Sequence, residues 1–162
     1  MRIRLATSAD IPALGRLGAL LVRTHQNFDA KRFLTASDQT ERRYGEFLGT
    51  QIDDPDAIVL VAELNGAVVG YAYAGVEGID YMALRGPAGA LHDIVVDAAH
   101  QKQGIGRALL DATLAALRER GVPRVVLMTA ATNENAKTLF ARSGFRATMI
   151  EMTREFDDSR EP

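Results

Sequence analysis

Asn65-Gly66 stands between two β-rich runs, Ile58-Val59-Leu60-Val61-Ala62-Glu63-Leu64 and Ala67-Val68-Val69-Gly70-Tyr71-Ala72-Tyr73-Ala74. Both central positions of a two-residue hairpin turn need positive φ, which Asn-Gly supplies, so the middle of the chain is committed to an antiparallel strand pair. Composition permits a full core around it: 47% hydrophobic and 25% charged residues match an ordinary globular chain that needs no disulfide or metal staple. One domain over residues 1–162 is expected, with a frayed tail from about Asp157.

The flanks supply helices and further strands. Ile3 to Leu5 reads as a short strand that stops at Thr7-Ser8-Ala9-Asp10, a capping residue followed three positions later by an acid. Ile11, Leu14, Leu17 and Leu21 then fall three or four apart and form one apolar helical stripe ending near His25. A second helix is expected from about Ser37 to Ile52, with Tyr44, Phe47, Leu48 and Ile52 on its apolar side. The connection Gln26–Ala36 keeps Phe28, Phe33 and Leu34, too apolar for a passive loop, and is expected to pack over a pocket. Beyond the hairpin, Glu77–Gly89 reads as a loop, Leu91–Val96 as a strand and Asp97–Gln103 as a polar connection. A helix begins at about Gly104 and is stopped by Gly121 and Pro123. Arg124–Thr129 is a further strand, Asn133 caps a short helix to Ser143, and Gly144-Phe145 opens a last strand to about Phe156. The order predicts a mixed α/β sheet that is partly antiparallel.

Several function classes are disfavoured. The absence of Cys excludes a disulfide framework, a thiolate zinc site and a cysteine acyl-enzyme, and fits a reducing, cytoplasmic setting. Met1-Arg2-Ile3-Arg4 meets charge before any apolar run could act as a signal peptide, and no run approaches the roughly 18 apolar residues of a membrane span. With 19 Lys+Arg against 21 Asp+Glu the net charge is −2, without a basic run, which argues against a nucleic-acid footprint. His25 and His100 are separated from each other and from His92 without ligand spacing, so no metal is expected.

The chemistry-bearing segment is Leu91-His92-Asp93-Ile94-Val95-Val96 followed by Gln101-Lys102-Gln103-Gly104-Ile105-Gly106-Arg107. Two glycines one residue apart at a helix start let the backbone approach a ligand, and first-turn N–H groups lack internal partners, so this is an anion cradle. Lys102 and Arg107 add Coulomb attraction to the helix dipole. A Walker loop is not present, and the dinucleotide fingerprint fails because Leu109 stands where its third Gly belongs. Glycines used only to end one element and begin another remain the plain alternative.

Taken with a second motif, the segment resembles the GNAT superfamily of acetyl-CoA-dependent N-acetyltransferases. The family pattern Q/R-x-x-G-x-G/A is matched by Gln101-Lys102-Gln103-Gly104-Ile105-Gly106, and N-x-x-A-x-x-[LI]-[YF]-x-x-x-G-F by Asn133, Ala136, Leu139, Phe140 and Gly144-Phe145. The resemblance implies a twisted sheet of six or seven strands flanked by about four helices. It also implies acetyl-CoA as co-substrate, without a metal. Backbone amides of Gln101, Lys102, Gln103, Gly104, Ile105, Gly106 and Arg107 would hold its pyrophosphate, and main-chain groups of the Ile94-Val95-Val96 strand would pair with pantetheine where the next strand splays away. Asn133 would reach the pantetheine arm, or serve as a plain helix cap. Phe140 and Arg142 would lie near the thiol end and the nucleotide phosphates, unless Phe140 is core and Arg142 merely solvated.

The implied reaction is direct attack by a primary amine of a small cationic molecule. The alternatives are a protein amine as acceptor, or a CoA-binding sensor with weak turnover. His92 and Asp93 are the candidate catalytic residues. Adjacent strand residues point to opposite faces, so only one should view the acceptor unless a bulge intervenes. Many family members carry Tyr as general acid where Phe140 stands here. Without it the thiolate departs to solvent, or Tyr71, Tyr73 or Tyr81 takes the role. A homodimer is an expectation carried over from the family alone.

Overall fold

The computed structural model describes residues 1–156, so the expected fraying from Asp157 lies outside the described residues. The hairpin forms as its turn chemistry requires: Asn65 and Gly66 take φ of 51° and 79° between β2 (Ala57–Leu64) and β3 (Ala67–Glu77). To one side β1 (Arg2–Leu5) pairs antiparallel with β2, and to the other β4 (Ala88–Val96) pairs antiparallel with β3. A three-residue β5 (Val125–Leu127) joins β4 in parallel, giving the order β1-β2-β3-β4-β5.

Helices cover both faces. On one face Leu109, Leu110 and Leu117 of α3 (Ile105–Glu119) pack with Leu60, Ala72 and Leu91 of the sheet, and Phe140 of α4 (Glu134–Arg142) joins the same core. On the other, Leu14 and Leu17 of α1 (Ile11–Phe28) and Leu48 of α2 (Thr40–Ile52) meet Val59, Val61, Tyr71 and Val95. The apolar stripes read from helical spacing face the core, as amphipathicity requires, except at Phe47, expected on the apolar side of α2 but 45% exposed with its ring edge-on to Tyr44 and Tyr73. The capping box is realised: the Thr7 N–H donates to Asp10 Oδ2 at 2.8 Å, and Arg4 Nη1 and Nη2 donate to the same carboxylate at 2.7 and 2.9 Å.

Three further expectations are corrected. The sheet of the described residues has five strands, not six or seven. Arg146–Phe156 forms no strand and makes no backbone hydrogen bonds among the described residues; its β-prone side chains, Ile150 and Phe156 among them, are exposed. β-propensity selects residues that suit a pleated surface, but a strand exists only where a neighbour takes its N–H and C=O groups. The loop expected to end at Gly89 ends earlier, because β4 already starts at Ala88; Gly89 lies in the strand, where a Cβ would come within 2.9 Å of the Leu117 side chain.

Candidate active site

The register of β3 and β4 decides the site. Tyr73 pairs with Asp93 and Ala74 with Leu91, which leaves His92 as the extra residue of a bulge. A bulge suspends strict alternation. Leu91 consequently packs with the α3 core, whereas Asp93 is carried to the α1/α2 face, and His92 is on that side too, stacked on Tyr73 with ring centroids 4.8 Å apart. Both candidate catalytic residues thus line one cavity of about 220 Å³, the outcome that sequence alternation allowed only through a bulge.

Asp93 is half-buried and lines this cavity. The hydroxyls of Tyr44 and Tyr71 both donate to its Oδ2, at 2.7 and 2.9 Å. Burial pushes the Asp93 carboxyl above its ordinary value, against the opposing pull of the two phenol hydrogen bonds and of positive charge on His92 and His25. Burial, reinforced by the Asp93 charge, raises both phenols as well, so they stay protonated donors. Tyr44 reaches Asp93 because α1 has Gly18 opposite it: a Cβ there would lie 2.1 Å from Tyr44 Cδ1.

His92 is more open, with its side chain 38% exposed and Nε2 3.4 Å from Glu77 Oε1. Arg85 pairs with the same Glu77 carboxylate and stands 3.6 Å from Asp80, which ties down the loop beside it. Phe33 and Leu34 of the α1–α2 connection close over the cavity, in line with their apolar character, and His25 completes the wall. His25 and Tyr44 are the residues that sequence reasoning missed as site members. Each reads locally as part of a helical stripe, and only the fold brings His25 to the cavity shared by His92. Among the described residues no group of three His, Asp or Glu side chains is arranged to hold a metal.

The cradle lies past the other end of the β4 segment. Gly104 takes φ +82° and immediately precedes α3, and a Cβ built on it meets nothing within 4 Å. None of the backbone N–H groups of Gln101, Lys102, Gln103, Gly104, Ile105, Gly106 and Arg107 has a protein acceptor among the described residues, whereas the Ala108 N–H reaches the Gly104 carbonyl at 3.0 Å. The Gln101 side chain donates to the Val96 carbonyl at 3.2 Å and that of Gln103 to the Ala99 carbonyl at 3.4 Å, so both hold the loop. Arg107 is engaged by Asp111 one turn on at 2.8 Å, and Lys102 is exposed with φ +61°.

Between cradle and cavity, β4 presents a free edge. Its pairing with β5 ends at Leu91 and Leu127, at the bulge, so among the described residues Ile94, Val95 and Val96 have no strand on that side. Asn133 caps α4 through its side-chain oxygen, which accepts from the Ala136 N–H at 3.1 Å. Phe140 is 6% exposed and packs edge-on against Phe145, which makes it a core residue. Arg142 is solvated at the end of α4. Of the candidate phenols, Tyr71 is spent on Asp93, Tyr73 donates to Gln51 at 2.8 Å, and Tyr81 is 80% exposed.

Residues 20–145 match the model of the acetyltransferase (GNAT) family. The chain belongs to the acetyltransferase (GNAT) family. A mycothiol acetyltransferase of Propionibacterium freudenreichii subsp. shermanii is 30% identical over 112 residues, covering 69% of this chain and 33% of that protein. Human N-acetyltransferase 8 is 34% identical over 88 residues, 54% of this chain and 38% of that one. The chain thus spans about a third of the length of the curated relatives it matches. A tetramutant of the BH1408 protein from Bacillus halodurans shares the fold, with a TM-score of 0.81 at 20% identity over 96% of this chain and 100% of that one. No helix among the described residues is long and apolar enough to cross a membrane.

Proposed function

We propose that this GNAT-family protein transfers the acetyl group of acetyl-CoA to the primary amine of a small molecule. The observation that carries the reading is the run of unpartnered N–H groups at residues 101–107, joined by the unpaired β4 edge to the cavity of His92 and Asp93. Relatives named mycothiol acetyltransferases support a small-molecule acceptor over a protein.

Bound acetyl-CoA supplies a thioester as the electrophile. The Gln101–Arg107 amides, which have no protein acceptor among the described residues, fit its pyrophosphate as donors, and the start of α3 adds a favourable dipole. Main-chain groups of Ile94, Val95 and Val96 would pair with the pantetheine arm as a neighbouring strand would, and Asn133, which caps α4, would reach the same arm. An alkylammonium has a pKa of about 10.4, so presenting the free amine near neutral pH costs about 4 to 5 kcal/mol, and a base must receive the proton. His92 fits that role, because it sits at the open side of the cavity with its ring fixed by Tyr73 and its Nε2 near a carboxylate. Asp93 receives the ammonium before the proton leaves. Phe140 donates no proton, and the engaged Tyr71 is a poor acid once its pKa is raised, so the thiolate leaves towards solvent.

Calorimetric titration with acetyl-CoA, paired with steady-state thiol release, tests this. Binding is expected for the wild type, and Gly104→Val is expected to weaken it at least about tenfold by placing a side chain in the open space of the cradle. Unchanged affinity in that variant would overturn the cradle. Binding without turnover of any amine would leave a CoA sensor in place of an enzyme.

A further inference from the structure

The cavity is asymmetric in a way that bears on its guest. Tyr44 and Tyr71 both donate to Asp93 Oδ2, and Oδ1 has no hydrogen-bond partner among the described residues. Oδ1 is not sealed off either, since among the described residues the fully enclosed side-chain polar atom without a partner is His100 Nδ1. Asp93 lines the cavity, so Oδ1 is the part of this carboxylate left to meet a ligand. The wall opposite is apolar, built from Leu21, Val22, Phe33 and Leu34. The next carboxylate outward, Glu77, is occupied by Arg85, and the imidazoles of His25 and His92 add only positive charge when protonated.

One available anion facing an apolar side of the cavity selects a particular cation. We infer that the acceptor is a primary amine of single positive charge on an apolar body about the size of phenylethylamine, its ammonium received by Asp93 Oδ1 and its body packed on Leu21, Val22, Phe33 and Leu34. A second ammonium would meet no further free carboxylate there, and sugar hydroxyls turned to the Leu21, Val22, Phe33 and Leu34 side would lose water without gaining partners. The chemistry rests on the acetyl-transfer reading, whereas the binding preference does not.

Calorimetric titration of the full chain, with CoA present, reads binding whether or not turnover occurs. With 2-phenylethylamine, butane-1,4-diamine and glucosamine as probes, phenylethylamine is expected to bind at least about tenfold more tightly than the other two. Asp93→Asn should weaken phenylethylamine at least about tenfold. Leu34→Gln, at a position 79% exposed and so indifferent to folding, should weaken it severalfold without weakening the diamine. Equal or tighter binding of the diamine or glucosamine overturns the inference. So does the absence of phenylethylamine binding at about 10 mM, or undiminished binding in the Leu34→Gln variant. Selective phenylethylamine binding with no thiol release from acetyl-CoA would instead overturn the transfer reading and leave the preference standing.

Discussion

Asp93 and His92 are neighbours in sequence with different physical tasks. Asp93 has a raised carboxyl pKa, mainly from burial, so its contribution to stability is present below the ordinary carboxylate value and is lost as pH rises through the raised one. Above that raised value the native state carries a largely desolvated charge that an amide would not. Asp93→Asn is expected to remove this pH dependence, its melting temperature by scanning calorimetry falling less than that of the wild type as pH rises, while kcat/KM falls more than about tenfold with loss of the proposed ammonium anchor. His92, partly exposed and outside the core, should behave differently. His92→Ala is expected to lower kcat on the order of a hundredfold and to flatten the acidic limb of the pH–rate profile, with little change in melting temperature. An unaltered limb would move the base to Asp93 or to water. Nothing in the dipeptide His92-Asp93 reveals this division, because it is set by Tyr44, Tyr71, Tyr73 and Glu77, which come from other stretches of chain.

At the scale of elements, the site depends on how α1 and α2 approach the sheet. Gly18 lets the Tyr44 ring lie against α1, and that contact lets its hydroxyl reach Asp93. Gly18→Ala gains about 1 kcal/mol of helix propensity yet puts a methyl on the ring, and overpacking of this kind costs about 1–3 kcal/mol. The expected outcome is a lower urea midpoint together with reduced kcat/KM; a more stable and fully active variant would show that the Tyr44–Asp93 bond is dispensable. The β4 bulge matters as much, since it turns His92 and Asp93 to one side and coincides with the end of β5 pairing. Sequence periodicity locates the strand but not the bulge, which arises from register with β3.

For the whole molecule, the junction of β1 and α1 sets part of the acid stability. Hydrogen bonds from Arg4 hold the buried Asp10 carboxyl down at about 2, below its ordinary 3.8, with Thr7 contributing. Its stabilisation, about 2 kcal/mol, is fully present above the ordinary value and is lost as pH falls through about 2. Asp10→Asn is expected to lower stability at pH 7 by about that amount and to flatten its decline between about pH 4 and pH 2, measured by urea unfolding across pH. What the sequence determined by itself was whatever depends on neighbours along the chain: the Asn65-Gly66 hairpin, the capping box at Thr7 and Asp10, the apolar stripes of the helices, and the Gly104 turn opening α3 with its unpartnered amides. Only the tertiary structure decided where a strand finds a partner, so Arg146–Phe156 stays unpaired despite its β-prone residues. It also decided which side chains share a cavity. His25, Tyr44 and Asp93 meet because burial of two apolar faces presses α1 and α2 onto a bulged strand, and that proximity is a property of packing rather than of any local pattern.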